Sequence, residues 1–437
     1  MVPDALSGRA AGRALKWVAR IGAAALLAAA AAVLAVPLRG RAPLRRPAAV
    51  HGRAEMAVRA DAPVAVGAAK ATIEVPRGAP LGGHSGFRRA AADAPVYARA
   101  LAFEAGGARA VIASIETLVV PGELEEEVLR RAQLPPRTCL LLAASHTHSG
   151  PGGTWKGLLP GLWGNGQFDA AMRDGIAQAA ADAIRASIGY LRSGRMAVAR
   201  FVWEDGPAVI RSAGPIDPTL TALQARDEAG VVIGTLVVYG MHPTVLPPRW
   251  ATPSGDWPGA ASRAIEDATE APALVLQGAG GNATWSREGL PVEPELAARA
   301  LGDRVARRAL DALSLSAWTA GAGLSCTVKL AALPRPQGSP RVPWLLRRAA
   351  GNLYSLAAEP FAVETEVGLG GLLLRGVPGE PVGAMGLSSQ PAQLIGLADG
   401  YVGYVEDPGR TERGEGEAAR TYYGPGLARA LDLQEAR

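Results

Sequence analysis

Four apolar segments that end in glycines and polar side chains constrain the fold of this chain more than any other feature. They read TCLLLAASHTHSG, VVIGTLVVYGMHPT, APALVLQGAGGNAT and GGLLLRGVPGEP. Residues 123–133, 169–188 and 294–313 alternate with them and have the pattern of helices. VYARALAFEA and RAVIASIETLVV flank a Gly-Gly turn, which predicts a hairpin. Strands alternating with helices predict an α/β fold, a mixed β-sheet core flanked by helices, with the polar strand ends collected along one edge.

The positive charge of the chain is concentrated at its N-terminus. Residues 1–60 have ten Lys or Arg and two Asp or Glu, a balance of +8 against a total of +5, which leaves −3 for the remaining 377 residues. This nearly neutral body lacks the electrostatic footprint of a nucleic-acid-binding protein, so we expect no nucleic-acid partner.

The first 38 residues have the pattern of an export signal. Four basic residues between positions 9 and 20 precede the uncharged run IGAAALLAAAAAVLAV, which is short for a membrane span. Residues 1–38 are therefore predicted to be a signal peptide or a membrane anchor. The protein is expected to be exported, either to the periplasm or extracellular space or anchored to the membrane.

Residues 39–63 are rich in Pro, Arg and Ala and show no periodicity. They are interpreted as a linker, followed by one catalytic domain over residues 64–437. Cys139 and Cys326 are the only cysteines. In an exported protein they either form a disulfide or remain as buried free thiols.

The chain has five histidines, and two of them lie one residue apart in SHTHSGPGG. On an extended strand His146 and His148 would share one face, although a pair of surface histidines in a loop is the simpler interpretation. His242 ends another apolar segment, and a zinc site takes three or four ligands of this kind. Asp256 either orients a ligand histidine or forms a turn. Glu380 is either an oxygen ligand or a solvated turn residue.

An ordered series of motifs extends from about residue 66 to the end of the chain. It comprises GAAKATIEVP, YARAL, SHTHSGPGG, an Arg-Ser pair at 211–212, MHPT, SGDWPG, QGAGGNAT, VPGE, YVGYV and YYGP. In this series the chain resembles the N-terminal catalytic domain of the neutral/alkaline (non-lysosomal) ceramidase family.

This resemblance implies a zinc-dependent amidohydrolase that cleaves the N-acyl bond of ceramide or a related N-acyl lipid with zinc-activated water. The implied Zn²⁺ ligands are His146, His242, Glu380 and Tyr404. The implied catalytic residues are His148, beside the metal, and Arg211, which stabilises the oxyanion. Thr284 stands where the family has a serine, and it is a third candidate. The implied partners are a ceramide-like lipid and a membrane surface.

The chain departs from the family pattern at three positions and at its end. Asn282 replaces an aspartate, Thr284 replaces a serine, and Gly416 stands where the family has a second active-site tyrosine. Tyr422 or Tyr423 would have to supply the missing phenol. No C-terminal β-sandwich domain is expected after YYGP. Two alternatives to a ceramidase therefore stay open: a zinc hydrolase of a non-lipid amide or ester, and a catalytically weak zinc-binding protein of the envelope.

Overall fold

The structure is a computed structural model that describes residues 47–84, 87–320, 322–341, 343–355 and 358–433. The predicted signal peptide or anchor, residues 1–38, lies outside these ranges and stays a prediction. Within the described ranges, no helix combines the length and apolar character that crossing a membrane requires.

The strands and helices alternate along the chain as predicted. The strands are β1 (Ala49–Val50), β2 (Arg53–Ala54), β3 (Met56–Pro63), β4 (Ala65–Val75), β5 (Ala94–Ala105), β6 (Ala108–Ile115), β7 (Thr138–Ala144), β8 (Arg192–Val202), β9 (Ala208–Ile210), β10 (Thr219–Asp227), β11 (Val232–Tyr239), β12 (Ala273–Gln277), β13 (Ala283–Trp285), β14 (Trp318–Thr319), β15 (Ala322–Ala332), β16 (Phe361–Leu369), β17 (Leu372–Gly376), β18 (Glu380–Pro381), β19 (Gln393–Ile395) and β20 (Tyr404–Val405). The α-helices are α1 (Gly122–Ala132), α2 (Leu158–Pro160), α3 (Ala170–Gly189), α4 (Asp256–Thr269), α5 (Pro294–Ser314), α6 (Trp344–Tyr354), α7 (Gly383–Ser388), α8 (Pro408–Arg413) and α9 (Gly426–Ala430). A π-helical turn spans Gly161–Asn165, and a 3₁₀ turn spans Ala418–Arg420.

Two sheets form the centre of the described structure. The larger has nine strands in the order β12-β11-β10-β8-β4-β5-β6-β7, with β14 paired to β8; the smaller has five in the order β19-β17-β16-β15-β3. Both are mixed, because β6–β7, β11–β12 and β17–β19 are parallel while the other pairs are antiparallel. Leu101, Phe103 and Leu141 of the larger sheet and Val328 and Val363 of the smaller belong to one buried cluster.

Helices cover the other face of the larger sheet. Ile176 of α3 packs in a cluster with Ile73 of β4, and Trp257 of α4 packs in another with Tyr239 of β11. Helix α3 begins where it does because the Asp169 side chain caps it, accepting a hydrogen bond from the backbone N–H of Met172 at 3.1 Å. The predicted α/β fold, a mixed sheet core flanked by helices, is confirmed by this arrangement.

The two cysteines form a disulfide between the sheets. Cys139 lies on β7 and Cys326 on β15; both are buried, and their Cα atoms are 6.2 Å apart. Of the two alternatives that the sequence left open, the structure shows the paired one.

The interpretation of residues 39–63 as a linker is wrong for the described part of that segment. Strand β3 pairs with β15 in antiparallel register, from Ala57 opposite Thr327 to Arg59 opposite Ser325. Every second residue from Met56 is half-buried and the others are exposed. This is the period-2 pattern of a strand, so the folded body begins before Val64.

The N-terminal segment also reaches into the interior through one arginine. Nη1 of Arg53 lies 3.1 Å from Oε1 of Glu125 and 2.7 Å from Oδ1 of Asp399, and all three side chains are buried. Oδ1 of Asp399 also accepts a hydrogen bond from the backbone N–H of Leu142 at 2.9 Å. Burial raises the pKa of Glu125 to about 8 even with Arg53 beside it. The Arg53 guanidinium is the cation that both buried carboxyl groups contact.

Four strand ends come together in one region, three from the larger sheet and one from the smaller, whereas the sequence predicts a single sheet edge. His146 follows β7, His242 follows β11, and Glu380 follows β17. The side chain of Gln277, the last residue of β12, donates to the backbone carbonyl of Ser145 at 3.1 Å and so ties two of these ends together. The fold thus delivers side chains from distant parts of the chain to one small volume.

We expect Arg53→Ala to lower the free energy of unfolding by about 3–5 kcal/mol, because removing one partner leaves a buried charge uncompensated. Arg59→Ala is the matched control, since Arg59 and its partner Asp61 are both exposed and such pairs contribute little. Urea unfolding of both variants measures the difference. An Arg53→Ala variant as stable as Arg59→Ala would contradict a structural role for the N-terminal segment.

Candidate metal centre

The two histidines of SHTHSGPGG lie side by side, but strand periodicity is not the reason. Strand β7 ends at Ala144, and His146 has a left-handed backbone with φ of 66° in the turn that follows. The ring centroids of His146 and His148 are 4.8 Å apart, and their Nε2 atoms are 3.4 Å apart. The turn brings both imidazoles into one site.

Backbone carbonyls fix the tautomers of two buried imidazoles. Nδ1 of His146 lies 2.9 Å from the carbonyl oxygen of Leu118. Nδ1 of His242 lies 3.0 Å and 3.1 Å from the carbonyl oxygens of Gly280 and Ala283. A carbonyl only accepts, so each Nδ1 carries a proton, and in the neutral imidazole each Nε2 is left with a lone pair. This arrangement is typical of metal-binding histidines.

The Glu380 carboxylate lies between those two lone pairs. Its Oε2 is 3.2 Å from Nε2 of His146 and 3.1 Å from Nε2 of His242. Its Oε1 accepts a hydrogen bond from the Tyr401 hydroxyl at 2.8 Å. Burial by itself raises the pKa of Glu380, whereas positive charge at the two neighbouring imidazoles holds it well below its usual range. A metal cation in the same place would act in the same direction, so the group is a carboxylate with either cation beside it.

Oε2 of Glu380 is buried without a hydrogen-bond donor among the described residues. Unprotonated oxygen and nitrogen atoms that converge in this way repel one another unless a cation lies between them. Zinc bonds of about 2.0–2.1 Å in tetrahedral geometry separate two ligand atoms by about 3.3 Å. The observed 3.1–3.2 Å separations fit such an ion.

Tyr404 completes this set of atoms. Its hydroxyl oxygen lies 3.1 Å from Nε2 of His242 and accepts a hydrogen bond from Nη2 of Arg211 at 2.9 Å. Burial, with the Glu380 charge, raises the pKa of the phenol well above its usual range, while Arg211 acts in the opposite direction. A cation beside the oxygen would add to the effect of Arg211 and favour the phenolate. The structure thus brings together the four ligands that the family resemblance implies.

His148 belongs to the site but has the other tautomer. Its Nδ1 faces the backbone N–H of His84 at 3.3 Å, so Nδ1 accepts and the proton is on Nε2. His146, His148 and His242 also form a group whose ring nitrogens lie within 4.8 Å of one another, which suits a metal ion by proximity alone. Because Nε2 of His148 carries a proton, we assign this histidine beside the metal rather than on it.

The guanidinium of Arg211 is held close to the metal centre. Besides Tyr404, its Nη2 donates to the backbone carbonyl of Gly281 and to Oε1 of Glu417, both at 2.7 Å. Asn282 supports the same region: its side-chain amide donates to three backbone carbonyls of residues 213–215, and its Oδ1 accepts from the N–H of Gly383. An amide provides both functions, whereas the aspartate of the family pattern has no N–H to donate.

Thr284 is not brought to the site. It pairs with Val209 in the small ribbon of β9 and β13 and is not among the described residues that line the cavity. The preceding Ala283 contacts His242 through its backbone carbonyl. The catalytic role of Thr284 stays a prediction, without support from the cavity lining among the described residues.

Asp256 is a structural residue. Its two oxygens accept hydrogen bonds from the backbone N–H groups of Leu246 and Trp257, and burial raises its pKa to about 6. Of the two roles considered for Asp256, the structure shows the turn.

A cavity of about 450 Å³ opens above the metal centre. One part of its wall is apolar, with Leu118, Val119, Trp155 and Pro160. The polar side chains on the wall are His84, His146, His148, Arg211, Thr244, Glu380, Tyr401, Tyr404, Arg420 and Tyr422. Tyr422 therefore reaches the site, while Tyr423 donates to a carbonyl elsewhere at 2.9 Å. Sequence reasoning missed Tyr401, although the YVGYV motif contains it.

Comparison with known proteins agrees with this geometry. Residues 85–280 match the sequence model of the family described as neutral/alkaline non-lysosomal ceramidase, N-terminal. The resemblance to this ceramidase family is confirmed. The fold is similar to that of neutral ceramidase from Pseudomonas aeruginosa, with a TM-score of 0.68 and 19% identity over 86% of this chain and 76% of that chain. A ceramidase complexed with C2 has a TM-score of 0.66 and 20% identity over 86% of this chain and 74% of its own.

No curated protein matches the chain in sequence. The ceramidase family and fold support a hydrolase, and the histidine cluster supports a metal site.

The tautomers predict different effects of three histidine substitutions. We expect His146→Ala and His242→Ala to weaken zinc binding by more than about 100-fold, since even partners outside the ligand shell contribute 10–100-fold. His148→Ala should weaken it by less than about tenfold, because Nε2 of His148 has no lone pair to offer. Competition with a chromophoric chelator measures the three affinities. Equal losses in His146→Ala and His148→Ala would show instead that zinc binds the three histidines.

Proposed function

We propose that the protein is a zinc-dependent amidase that cleaves the N-acyl bond of ceramide or a related N-acyl lipid. The observation that carries this proposal is the buried Oε2 of Glu380, which faces two imidazole lone pairs at the base of an open cavity. The family match and the fold similarity support the same reaction class.

Four side chains would hold the metal, namely His146, His242, Glu380 and Tyr404. Bound zinc supplies a Lewis acid and lowers the pKa of a coordinated water to about 7, so that a nucleophile is available at neutral pH. Glu380 and its partner Tyr401 contribute orientation: the 2.8 Å hydrogen bond at Oε1 directs Oε2 towards the two imidazoles.

His148 and Arg211 provide donors for the oxygen of the reacting carbonyl. Burial and the neighbouring imidazoles hold the pKa of His148 well below its usual range, so the ring is neutral and its Nε2–H is available as a donor. Arg211 is fixed by Gly281, Tyr404 and Glu417 before any substrate arrives. Donors placed in advance stabilise a developing oxyanion more than mobile ones.

The cavity wall has both apolar and polar side chains, as the binding of an N-acyl lipid requires. Leu118, Val119, Trp155 and Pro160 offer an apolar surface for the acyl chain, and the arginines and tyrosines face its polar end. A site for a small polar amide would gain nothing from this apolar wall. The wall therefore favours a lipid over a non-lipid substrate.

We expect the zinc-loaded protein to hydrolyse a fluorescent short-chain ceramide, to lose this activity with a chelator, and to regain it with zinc. Release of the fluorescent fatty acid measures turnover, and His146→Ala is the inactive control. Hydrolysis of simple acyl amides without any turnover of ceramide would indicate the non-lipid alternative. No turnover of either class would indicate a zinc-binding envelope protein.

Exposed apolar side chains beside the cavity support action at a lipid surface. Leu158 and Leu162 are 70% and 48% exposed, and they lie on the helical turns that carry the cavity residue Pro160. Phe87, 52% exposed, packs near Gly161 of the same segment. We call Phe87, Leu158 and Leu162 the apolar rim, and we propose that it inserts into the surface that presents the substrate.

We expect Leu158→Ser with Leu162→Ser to reduce binding to phosphatidylcholine vesicles by at least about tenfold, because each buried leucine contributes about 1.5–3 kcal/mol. Val292→Ser with Leu315→Ser is the matched control, since these residues are 77% and 90% exposed but do not line the cavity. Vesicle co-sedimentation measures both. Equal losses in the two double variants would contradict a specific role for the apolar rim.

A further inference from the structure

Two guanidinium groups on the cavity wall share one buried carboxylate. Glu417 is 3% exposed. Its Oε1 accepts from Arg211, and its Oε2 accepts from Nη1 of Arg420, both at 2.7 Å. The ordinary charges of these three groups sum to one excess positive charge.

Charges behind this group do not remove the excess. Glu406 lies under the same segment, where its oxygens accept from the backbone N–H groups of Asp407 and Glu417. Burial raises the pKa of Glu406, and the nearby positive charge of Arg410 acts against this rise. Glu380 on the same wall acts on Arg420 and balances the excess as long as no metal is bound; a divalent cation beside Glu380 would restore the excess.

Arg420 differs from Arg211 in how freely it can bind a ligand. Arg211 is committed to three acceptors, whereas the Arg420 guanidinium donates to Glu417 and has a side chain that is 56% exposed. Only the Glu417 end of this ion pair is buried. A guanidinium has five N–H donors that match a carboxylate or phosphate. Arg420 can thus keep Glu417 and still bind an anion.

An anion bound to Arg420 would lie close to the reacting amide bond, because Arg420 is near the proposed metal ligands. Its guanidinium lies 5.6 Å from the ring centroid of Tyr404, one of the four proposed metal ligands. Leu118 also lines the cavity, and its carbonyl holds His146, another of the proposed ligands. An acyl chain placed along Leu118 would leave the amine side of the scissile amide free to face Arg420.

We infer that Arg420 binds an anionic group on the amine side of the substrate, so that an N-acyl lipid with a carboxylate or phosphate near the amide is preferred over a neutral one. This inference rests on the proposed amidase function and selects among its substrates. Arg420 is in this account a specificity-determining residue.

Three amides with the same dodecanoyl chain test the inference. They are the amides of ethanolamine, which is neutral, of glycine, which adds a carboxylate, and of phosphoethanolamine, which adds a phosphate. For the zinc-loaded full chain we expect kcat/KM to be at least about tenfold higher for one or both anionic amides, and the better one identifies the group. In Arg420→Gln this ratio should fall to near one, and Arg420→Lys should retain part of it.

Arg413→Gln is the matched control, because Arg413 is an exposed arginine that pairs with Glu415 and does not line the cavity. It should keep the wild-type ratio. Hydrolysis of the neutral amide at a rate equal to or above that of both anionic amides would overturn the inference and leave the amidase function intact. A ratio that survives in Arg420→Gln would also overturn it.

If none of the three amides is hydrolysed, the ceramide assay decides the proposed function and binding decides the inference separately. Calorimetry with dodecanoylglycine and dodecanoylethanolamine then compares the wild type with Arg420→Gln. Tighter binding of the glycine amide that is lost in the variant supports the role of Arg420. Equal binding of the two amides to the wild type overturns it.

Discussion

The burial of one carboxylate charge governs the architecture of the site. Oε2 of Glu380 has no donor among the described residues and faces Nε2 atoms whose lone pairs are fixed by backbone carbonyls at Nδ1. A buried charge in such surroundings is costly unless an opposite charge balances it. The requirement for a cation therefore follows from the backbone. The carbonyls of Leu118, Gly280 and Ala283 set the tautomers before any metal binds.

The fold holds these groups through a loop between the two sheets. The backbone of Leu397 bonds both Ala144, two residues before His146, and Gly379, one residue before Glu380. Asp399 bonds Leu142 through its backbone and its carboxylate, and the same carboxylate pairs with Arg53. The N-terminal strands are thus connected to the strand ends that carry the metal ligands. Substitutions in the N-terminal strands can therefore alter the site without contacting it.

Much of the fold and of the metal centre could be predicted from the sequence. Apolar strands that end in polar residues gave the correct strand ends, and the motif series led to His146, His242, Glu380 and Tyr404. The ion pairs of Arg53 could not be predicted from the sequence, because its partners lie 72 and 346 positions further along the chain. The strand at residues 56–63 could have been predicted, since the alternation of apolar and polar residues is visible in the sequence. The position of Thr284 outside the described cavity lining could not be predicted, because a motif match does not give the orientation of a side chain on a short strand.

The cavity combines apolar side chains, two guanidinium groups and a candidate metal centre, and the position of the metal decides how they act together. The most direct test is a crystal structure of the zinc-loaded protein with anomalous data collected at the zinc edge. The account predicts one zinc within about 2.0–2.2 Å of His146 Nε2, His242 Nε2, a Glu380 oxygen and the Tyr404 oxygen, with His148 outside bonding distance. Zinc bound to His146, His148 and His242 with Tyr404 unbound would contradict it.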